Sequence, residues 1–513
     1  MSAAASAMGP VADARPVPAP MPAAPVWGLR LGTGLCGILI AAMMSGLNDR
    51  VTGITLTDIA GARGLAGDDA HLLGTIYAAT QLAAMPVASW FAATFSLRRF
   101  HLAITSVFLL CALLLPLAPS FGWLLVLRAV QGLAGGAMIP LLMGAALRFL
   151  PPAIKLQGLG FYSLTATFSP NLALWFAASW LDGWSDWRLT YWQVLPIGML
   201  VLGMVWWGLP QDPVRPERLK EVDAPGLATG PLGLMLLAFV AEEGERLDWF
   251  HAPLILGAAI ASVALIAAFV VSEWHHPQPF MKLQMVGRRN FALGLPLFMG
   301  ILVVVIASAL LPAAHLAEVQ RFRPLQIAPI GLIISLPQIL LAPLVSALLY
   351  RQWVDARHVV ALGLALIATS CWLGMQVTDG WMVHEFWLAQ ACQMVGQPLA
   401  VVPFLYISVS TLASPAEGAL YSGLINTLKT LASVLGAAIV ERLLVTGTAS
   451  HLTTIADRAG RLALPGLPAA AETQAVTFAI ADAYGLAALL AALLIVPTLL
   501  LKHVPPPPPA KTA

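Results

Sequence analysis

Apolar residues fill the chain in runs too long for most soluble core helices, and polar positions fall in short clusters between them. A helix needs about 20 mostly apolar residues to cross a hydrocarbon core of ~30 Å. Fourteen segments predict such helices. Six lie at Leu29–Leu47, Leu72–Thr94, Leu102–Ala118, Gly122–Leu147, Gly158–Trp180 and Tyr191–Leu209. Two follow at Pro225–Val240 and Pro253–Ser272. Six more lie at Phe291–Leu316, Leu325–Leu349, Val359–Val377, Glu385–Ile407, Gly418–Val440 and Phe478–Leu501. The grouping of six, two and six predicts an all-α integral membrane protein. A six-helix bundle is expected over 27–210, a linker with an inserted helix pair over 211–275, and a second six-helix bundle over 276–503. The Pro-rich ends, 1–26 and 504–513, are expected to be disordered tails. No sequence repeat between the halves is visible by eye.

Composition agrees. Of 513 residues, 59% are hydrophobic and 10% are charged, where soluble domains carry about 25% charged residues. So few charges cannot coat a water-exposed surface of this size, so the apolar runs face lipid. Net charge is +2 and no basic cluster interleaves with aromatics, which argues against nucleic acid as a partner. Cys36, Cys111, Cys371 and Cys392 sit inside apolar runs without C-x-x-C spacing, so they read as packing residues. The first 26 residues lack a basic start leading into a short apolar stretch, so no signal peptide is expected. There is no phosphate loop, zinc helix motif or nucleophile elbow. No enzyme activity, metal or cofactor is therefore expected, and any energy for moving solutes must come from an ion gradient.

Lys and Arg in short loops set orientation. An even span count puts both tails on one side, with Arg98, Arg99, Arg148, Lys155, Arg288 and Arg289 among its basic residues. The other side holds fewer, including Arg63, Arg188, Arg246 and Arg323. Both tails are expected in the cytoplasm. The longest outer loop is expected from Thr446 to Gln474, with a turn at Pro465-Gly-Leu-Pro468 and room for a short surface helix in the rest. Tryptophans crowd span ends, at Trp180, Trp184, Trp187 and Trp192, as headgroup anchors do.

Ionisable groups inside apolar runs are expensive and mark function. Asp49 and Arg50 lie late in the first span, Arg128 in the fourth, Lys429 in the thirteenth and Asp482 near the start of the last. Arg128 is expected to be buried and to face the central cavity of the first bundle. Glu242, Glu243, Glu245, Arg246 and Asp248 read as a solvated cluster after span 7. Gln390, Gln393 and Gln397 recur at spacings of three and four and so share a helix face. With Gln81, Gln131, Gln338, Asn426 and Lys429 they are candidates for a substrate cavity; helix-to-helix hydrogen bonding is the alternative for each glutamine.

Several motifs resemble the EmrB/QacA group of the major facilitator superfamily, the fourteen-span drug:proton antiporters. LRAVQGLAGG resembles the span-4 motif, and the resemblance assigns a part in proton coupling to Arg128. FSPNLALWF, with Pro170, resembles the span-5 antiporter motif. The stretch after it matches at Trp187, Arg188, Pro196, Ile197 and Gly198. LNDRVTGITLTDIAG resembles the end of span 1, with Asn48 at the family's acid position and Asp49 next to it. NTLKTLASVLG resembles a span-13 motif through Asn426 and Lys429. GERLDWF and GRRNFALG resemble the segments after spans 7 and 8. SLRRF keeps Arg98 and Arg99 of the gate loop but lacks its usual glycine and aspartate.

The resemblance implies a proton-coupled efflux transporter for hydrophobic or amphipathic molecules in a bacterial inner membrane. Asp49, Arg50, Arg128 and Asp482 would serve coupling; Pro170, Arg98 and Arg99 would serve the antiporter motif and gate. It also implies a periplasmic adaptor protein and an outer-membrane channel as partners. Two rivals remain: an exporter of one endogenous metabolite or weak organic acid, and a non-transporting scaffold or sensor.

Overall fold

The computed structural model describes residues 27–351, 353–414, 417–459 and 467–506. Fourteen long helices run through them. The first six are α1 (Leu29–Ile54), α2 (Gly67–Phe95), α3 (Leu97–Leu114), α4 (Phe121–Phe149), α5 (Lys155–Ala178) and α6 (Val194–Gly208). Two intervene, α7 (Ala224–Glu243) and α8 (Pro253–His275). The last six are α9 (Arg289–Ala314), α10 (Pro324–Leu348), α11 (Ala356–Gly374), α12 (Trp387–Ser410), α13 (Glu417–Ala459) and α14 (Leu467–Leu493). The arrangement is compatible with the fourteen expected spans. Among the described residues, 12 helices are long and apolar enough to cross a membrane. The two outside that set, α5 and α13, carry polar side chains to the centre of the molecule.

A repeat that the letters hide is plain in the packing. In the first bundle α2 packs on α4, α1 on α5 and α6, and α3 on α4 and α6. In the second bundle α10 packs on α12, α9 on α13 and α14, and α11 on α12 and α14. Adding eight to each number converts one set into the other. The bundles meet through α5 with α10 and through α2 with α13, which the same rule interchanges. The inserted α7 and α8 pack on each other, and α7 lies against both α2 and α13.

Small residues set the closest approaches. A Cβ at Gly132 or Gly136 of α4 would run into the α2 backbone at Tyr77 or Gln81. Small residues at such contacts let membrane helices gain dispersion energy, since lipid supplies no hydrophobic drive between them.

Leu29 and Leu500 lie at one face of the molecule, here the tail face. There Arg30 Nε donates to Trp207 O at 2.8 Å and Arg289 donates to Leu500 O at 2.9 Å. The bundles touch at this face: Tyr350 Oη donates to Ala153 O at 2.7 Å, and Ser422 Oγ donates to Pro140 O.

Two expectations need correction. Glu242 and Glu243 end α7 rather than lying in a solvated loop, because the helix runs one turn past Val240. The helix in the Thr446–Gln474 loop is no short separate one, because α13 continues unbroken to Ala459 and α14 begins at Leu467. Pro465 and Gly466 of the expected turn lie outside the described residues.

Candidate functional site

A cavity of about 490 Å³ lies between the bundles, in the half of the molecule away from the tail face. The last turns of α1, the first half of α2, the second half of α5 and the end of α7 line it, with parts of α9, α10, α12 and α13. Its walls differ. Leu302, Val305, Ile306 and Leu310 of α9 with Ile330 and Ile334 of α10 form an apolar wall. Asp49 and Arg50 of α1, His71 and Gln81 of α2, Glu242 of α7 and Lys429 of α13 form the polar one.

Its floor is built by α5 and α13. Tyr162 Oη donates to Asn426 Oδ1 at 2.7 Å, and one turn further from the tail face Lys429 Nζ donates to Thr165 Oγ1 at 2.9 Å. A turn beyond that, Arg50 donates to Ser433 Oγ at 2.7 Å. Asn426, Lys429 and Ser433 are spaced three and four apart, so one face of α13 carries three polar contacts to the first bundle.

Asn48 and Asp49 divide the roles that their motif leaves open. Asn48 is wholly buried and, among the described residues, neither of its amide atoms is hydrogen-bonded, whereas Asp49 lines the cavity. Successive helical residues differ by about 100° in direction, given 3.6 residues per turn, so only one of the two can face the cavity.

Arg128 is wholly buried, but it does not line the cavity as expected. It lies behind α2, with its guanidinium 4.1 Å from the Tyr77 ring centre. Nε donates to Leu73 O at 3.1 Å and a terminal nitrogen donates to Gln131 Oε1 at 2.9 Å. Tyr77 Oη in turn sits 3.3 Å from Ser45 Oγ, one turn before Asp49 on α1, and Gln81 Nε2 donates to the same hydroxyl at 3.3 Å. The arginine thus reaches the cavity wall through Tyr77 and Ser45.

Other candidates are redistributed. Gln81, Gln390, Lys429 and Pro170 line the cavity. Gln131 binds Arg128, and Asn426 binds Tyr162 beneath the floor. Gln338 donates to Met394 O at 3.0 Å and Gln397 to Gln393 Oε1 at 3.3 Å, all buried between helices of the second bundle. Gln338 thus ties α10 to α12, whereas the Gln393–Gln397 bond stays within α12; of the shared α12 face, the Gln390 end is the part that reaches the cavity.

Asp482 is exposed and pairs with His451 at 2.7 Å, far from the cavity, because that turn of α14 meets the extended end of α13. Arg98 lies over Trp206 at 5.7 Å within its own bundle and Arg99 is exposed, so neither bridges the bundles. The loop lacks its usual aspartate, and among the described residues no acid pairs with either arginine. The sequence reading placed Glu242 in a solvated cluster and did not single out His71, Thr165 or Tyr162. For the last two a signal existed, since Tyr162 and Thr165 repeat on α5 the three-residue spacing of Asn426 and Lys429.

A family model for the Major Facilitator Superfamily matches residues 38–437. The chain belongs to the major facilitator superfamily. It is therefore a multi-pass membrane transporter of that superfamily, and its repeated bundles are that fold. Over most of its length it is similar to the multidrug export protein EmrB of Haemophilus influenzae, at 24% identity over 84% of this chain and 84% of the relative. The fatty acid resistance protein FarB of Neisseria gonorrhoeae matches at 24% identity over 84% of each chain. Among solved structures, the human organic anion transporter MFSD10 superposes with a TM-score of 0.57 at 14% identity, covering 93% of this chain and 100% of that one.

Proposed function

We propose that this transporter exports hydrophobic or amphipathic small molecules in exchange for protons, from a bacterial inner membrane with both tails in the cytoplasm. The observation that carries the reading is the cavity: about 490 Å³ between the bundles, with an apolar wall facing a polar wall that bears Asp49. That volume falls within the roughly 300–1,000 Å³ of drug-sized sites. With the basic loops at the tail face inside, the cavity opens outward. A proton reaching Asp49 from outside would favour release there, and its loss inside would reset the cycle. Such exchange needs proton and substrate to bind the two states with different affinity. Purified protein in liposomes containing a pH-sensitive dye provides the test, with ethidium and a panel of amphipathic compounds added under an imposed pH gradient. Compound-dependent proton movement is expected. Its absence across the panel would leave the scaffold or sensor reading.

A second reading, export of organic acids, is favoured by Lys429. It lines the cavity and, among the described residues, pairs with no carboxylate. Similarity to a protein named for fatty acid resistance points the same way. On this reading Lys429→Gln abolishes decanoate transport and spares ethidium; equal loss of both would remove it.

The adaptor and outer-membrane channel belong to this proposal too. The helical extension around Thr448 and its partner at the start of α14 stand on the face opposite the tails, and they offer the docking surface. Shortening Thr448–Ala471 should abolish adaptor binding; unchanged binding and resistance would end the idea. Ile455→Cys should label from outside the cell only.

A further inference from the structure

The inserted helix pair has a part in the site that its place between two complete bundles does not suggest. Glu242 and Glu243, adjacent at the end of α7, point in different directions. Glu243 is wholly buried and fully engaged: Thr75 Oγ1 donates to it at 2.5 Å, Arg246 Nε at 2.6 Å, and His71 Nδ1 lies 3.2 Å away. Glu242 lines the cavity and, among the described residues, makes no hydrogen bond and no ion pair.

The end of α7 is also fastened to both bundles. On the α2 side Arg246 reaches Asp68 at 3.4 Å, besides the Glu243 contacts. On the α13 side Glu245 pairs with Arg442 at 3.1 Å. Helices α2 and α13 form one of the contacts through which the bundles meet. A rocking motion that opens or closes the cavity changes their separation, so it moves the α7 end that carries Glu242. The charged groups around Glu242 come from three other helices: Asp49 and Arg50 from α1, His71 from α2 and Glu441 from α13.

We propose that Glu242 is a second proton-carrying carboxylate of the transport cycle, delivered by the inserted pair to the cavity that Asp49 lines, so that α7 belongs to the coupling machinery. An unpaired acid within a membrane is costly unless it serves such a purpose. His71, half exposed and in contact with Glu243, stands between the outer water and the cavity. It passes a proton inward to the Glu242 carboxylate, and Glu242 gives it up when the cavity faces the other side. No bond other than O–H and N–H forms or breaks.

The proposal rests on the proton-coupled reading, and the experiment separates the two. Full-length protein in liposomes is treated with dicyclohexylcarbodiimide, which modifies protonated carboxyls in apolar surroundings, and labelled peptides are quantified by mass spectrometry against pH. Glu242 should label well above the exposed Glu472. Its label should fall about tenfold per pH unit once the group ionises. In ethidium transport, Glu242→Gln should flatten the pH profile of gradient-driven efflux. Glu242→Asp, which keeps a carboxyl, should restore pH dependence. Label on Glu242 no higher than on Glu472, or an unaltered pH profile in Glu242→Gln, would overturn the proposal. If wild-type protein moves no ethidium under a pH gradient, the exporter reading fails for this compound and the wild-type labelling decides Glu242 alone.

Discussion

Arg50 on α1 donates a 2.7 Å hydrogen bond to Ser433 on α13, so the guanidinium beside Asp49 is anchored in the opposite bundle. Any motion that parts α1 from α13 must break this contact and set Arg50 free near Asp49. Arg50→Gln should therefore lower gradient-driven transport by about tenfold or more, while Ser433→Ala, which removes one hydrogen bond worth about 1 kcal/mol, should change it only a few-fold. Rates in liposomes of matched protein content check both. Equal effects would mean that the contact to Ser433 is all that Arg50 supplies.

Asp49→Asn keeps the shape of the side chain and removes its proton. Gradient-driven export should lose its pH dependence, while binding of ethidium, followed by fluorescence, changes little. Export with the wild-type pH profile would remove Asp49 from coupling.

Arg128 should prove structural and functional at once. Arg128→Ala removes a desolvated cation–π contact and two hydrogen bonds, so a loss of roughly 2–4 kcal/mol is expected. Arg128→Lys keeps the charge but cannot serve Leu73 O and Gln131 from one planar group. Thermal melting in detergent should place Lys between Ala and wild type, with transport impaired in both. Tyr77→Phe should fold normally and transport more slowly, because it cuts the link from Arg128 to Ser45.

The α2–α4 contact has no room for a methyl group. Gly136→Ala puts its Cβ against the Gln81 carbonyl, and relief by backbone shift costs about 1–3 kcal/mol. A lower melting temperature and yield are expected, whereas Gly144→Ala, which meets nothing within 4 Å, should be silent in the same assays.

At the tail face, burial pushes the Asp355 carboxyl up, but the Arg357 guanidinium and backbone N–H, with His503, hold it down at about 2. Arg357 also donates to Leu501 O at 3.0 Å, so this cluster ties α11 to the chain after α14. A depressed folded pKa contributes stability that is present above the unfolded value of about 3.9 and is lost as pH falls towards the folded one. The melting temperature of wild type should fall more steeply between about pH 5 and about pH 3 than that of Asp355→Asn. Parallel curves would show that the cluster contributes nothing.

The membrane helices were legible because lipid imposes long apolar runs, and buried arginine at position 128 because no loop lay near it. What decides the site was not. Whether a glutamine lines a cavity or is buried inside one bundle depends on where the bundles part; Gln390 and Gln397 share one face of α12 yet fall on either side of that line. Asp482 read as a membrane acid because only the sequence distance to the span's start was visible, and its partner His451 comes from a different helix. The reach of α13 was hidden because hydropathy fades after Val440, although the stretch to Ala459 contains no proline and only Gly447 to weaken it. Glu242 was missed by one turn of helix.

The continuity of α13 has a mechanical side. At 43 residues and ~1.5 Å each it is a rod of about 64 Å, twice what a bilayer needs. The half nearer the tail face carries Asn426, Lys429 and Ser433, and the far half runs on beside the start of α14, where His451 meets Asp482. A tilt of about 5° about the floor of the cavity would carry the far end sideways by several ångström, by lever arithmetic on that length. The rod works as a pointer: whatever grips its tip senses which way the bundles lean without touching the molecule being moved, and a load placed there pushes back on the cavity.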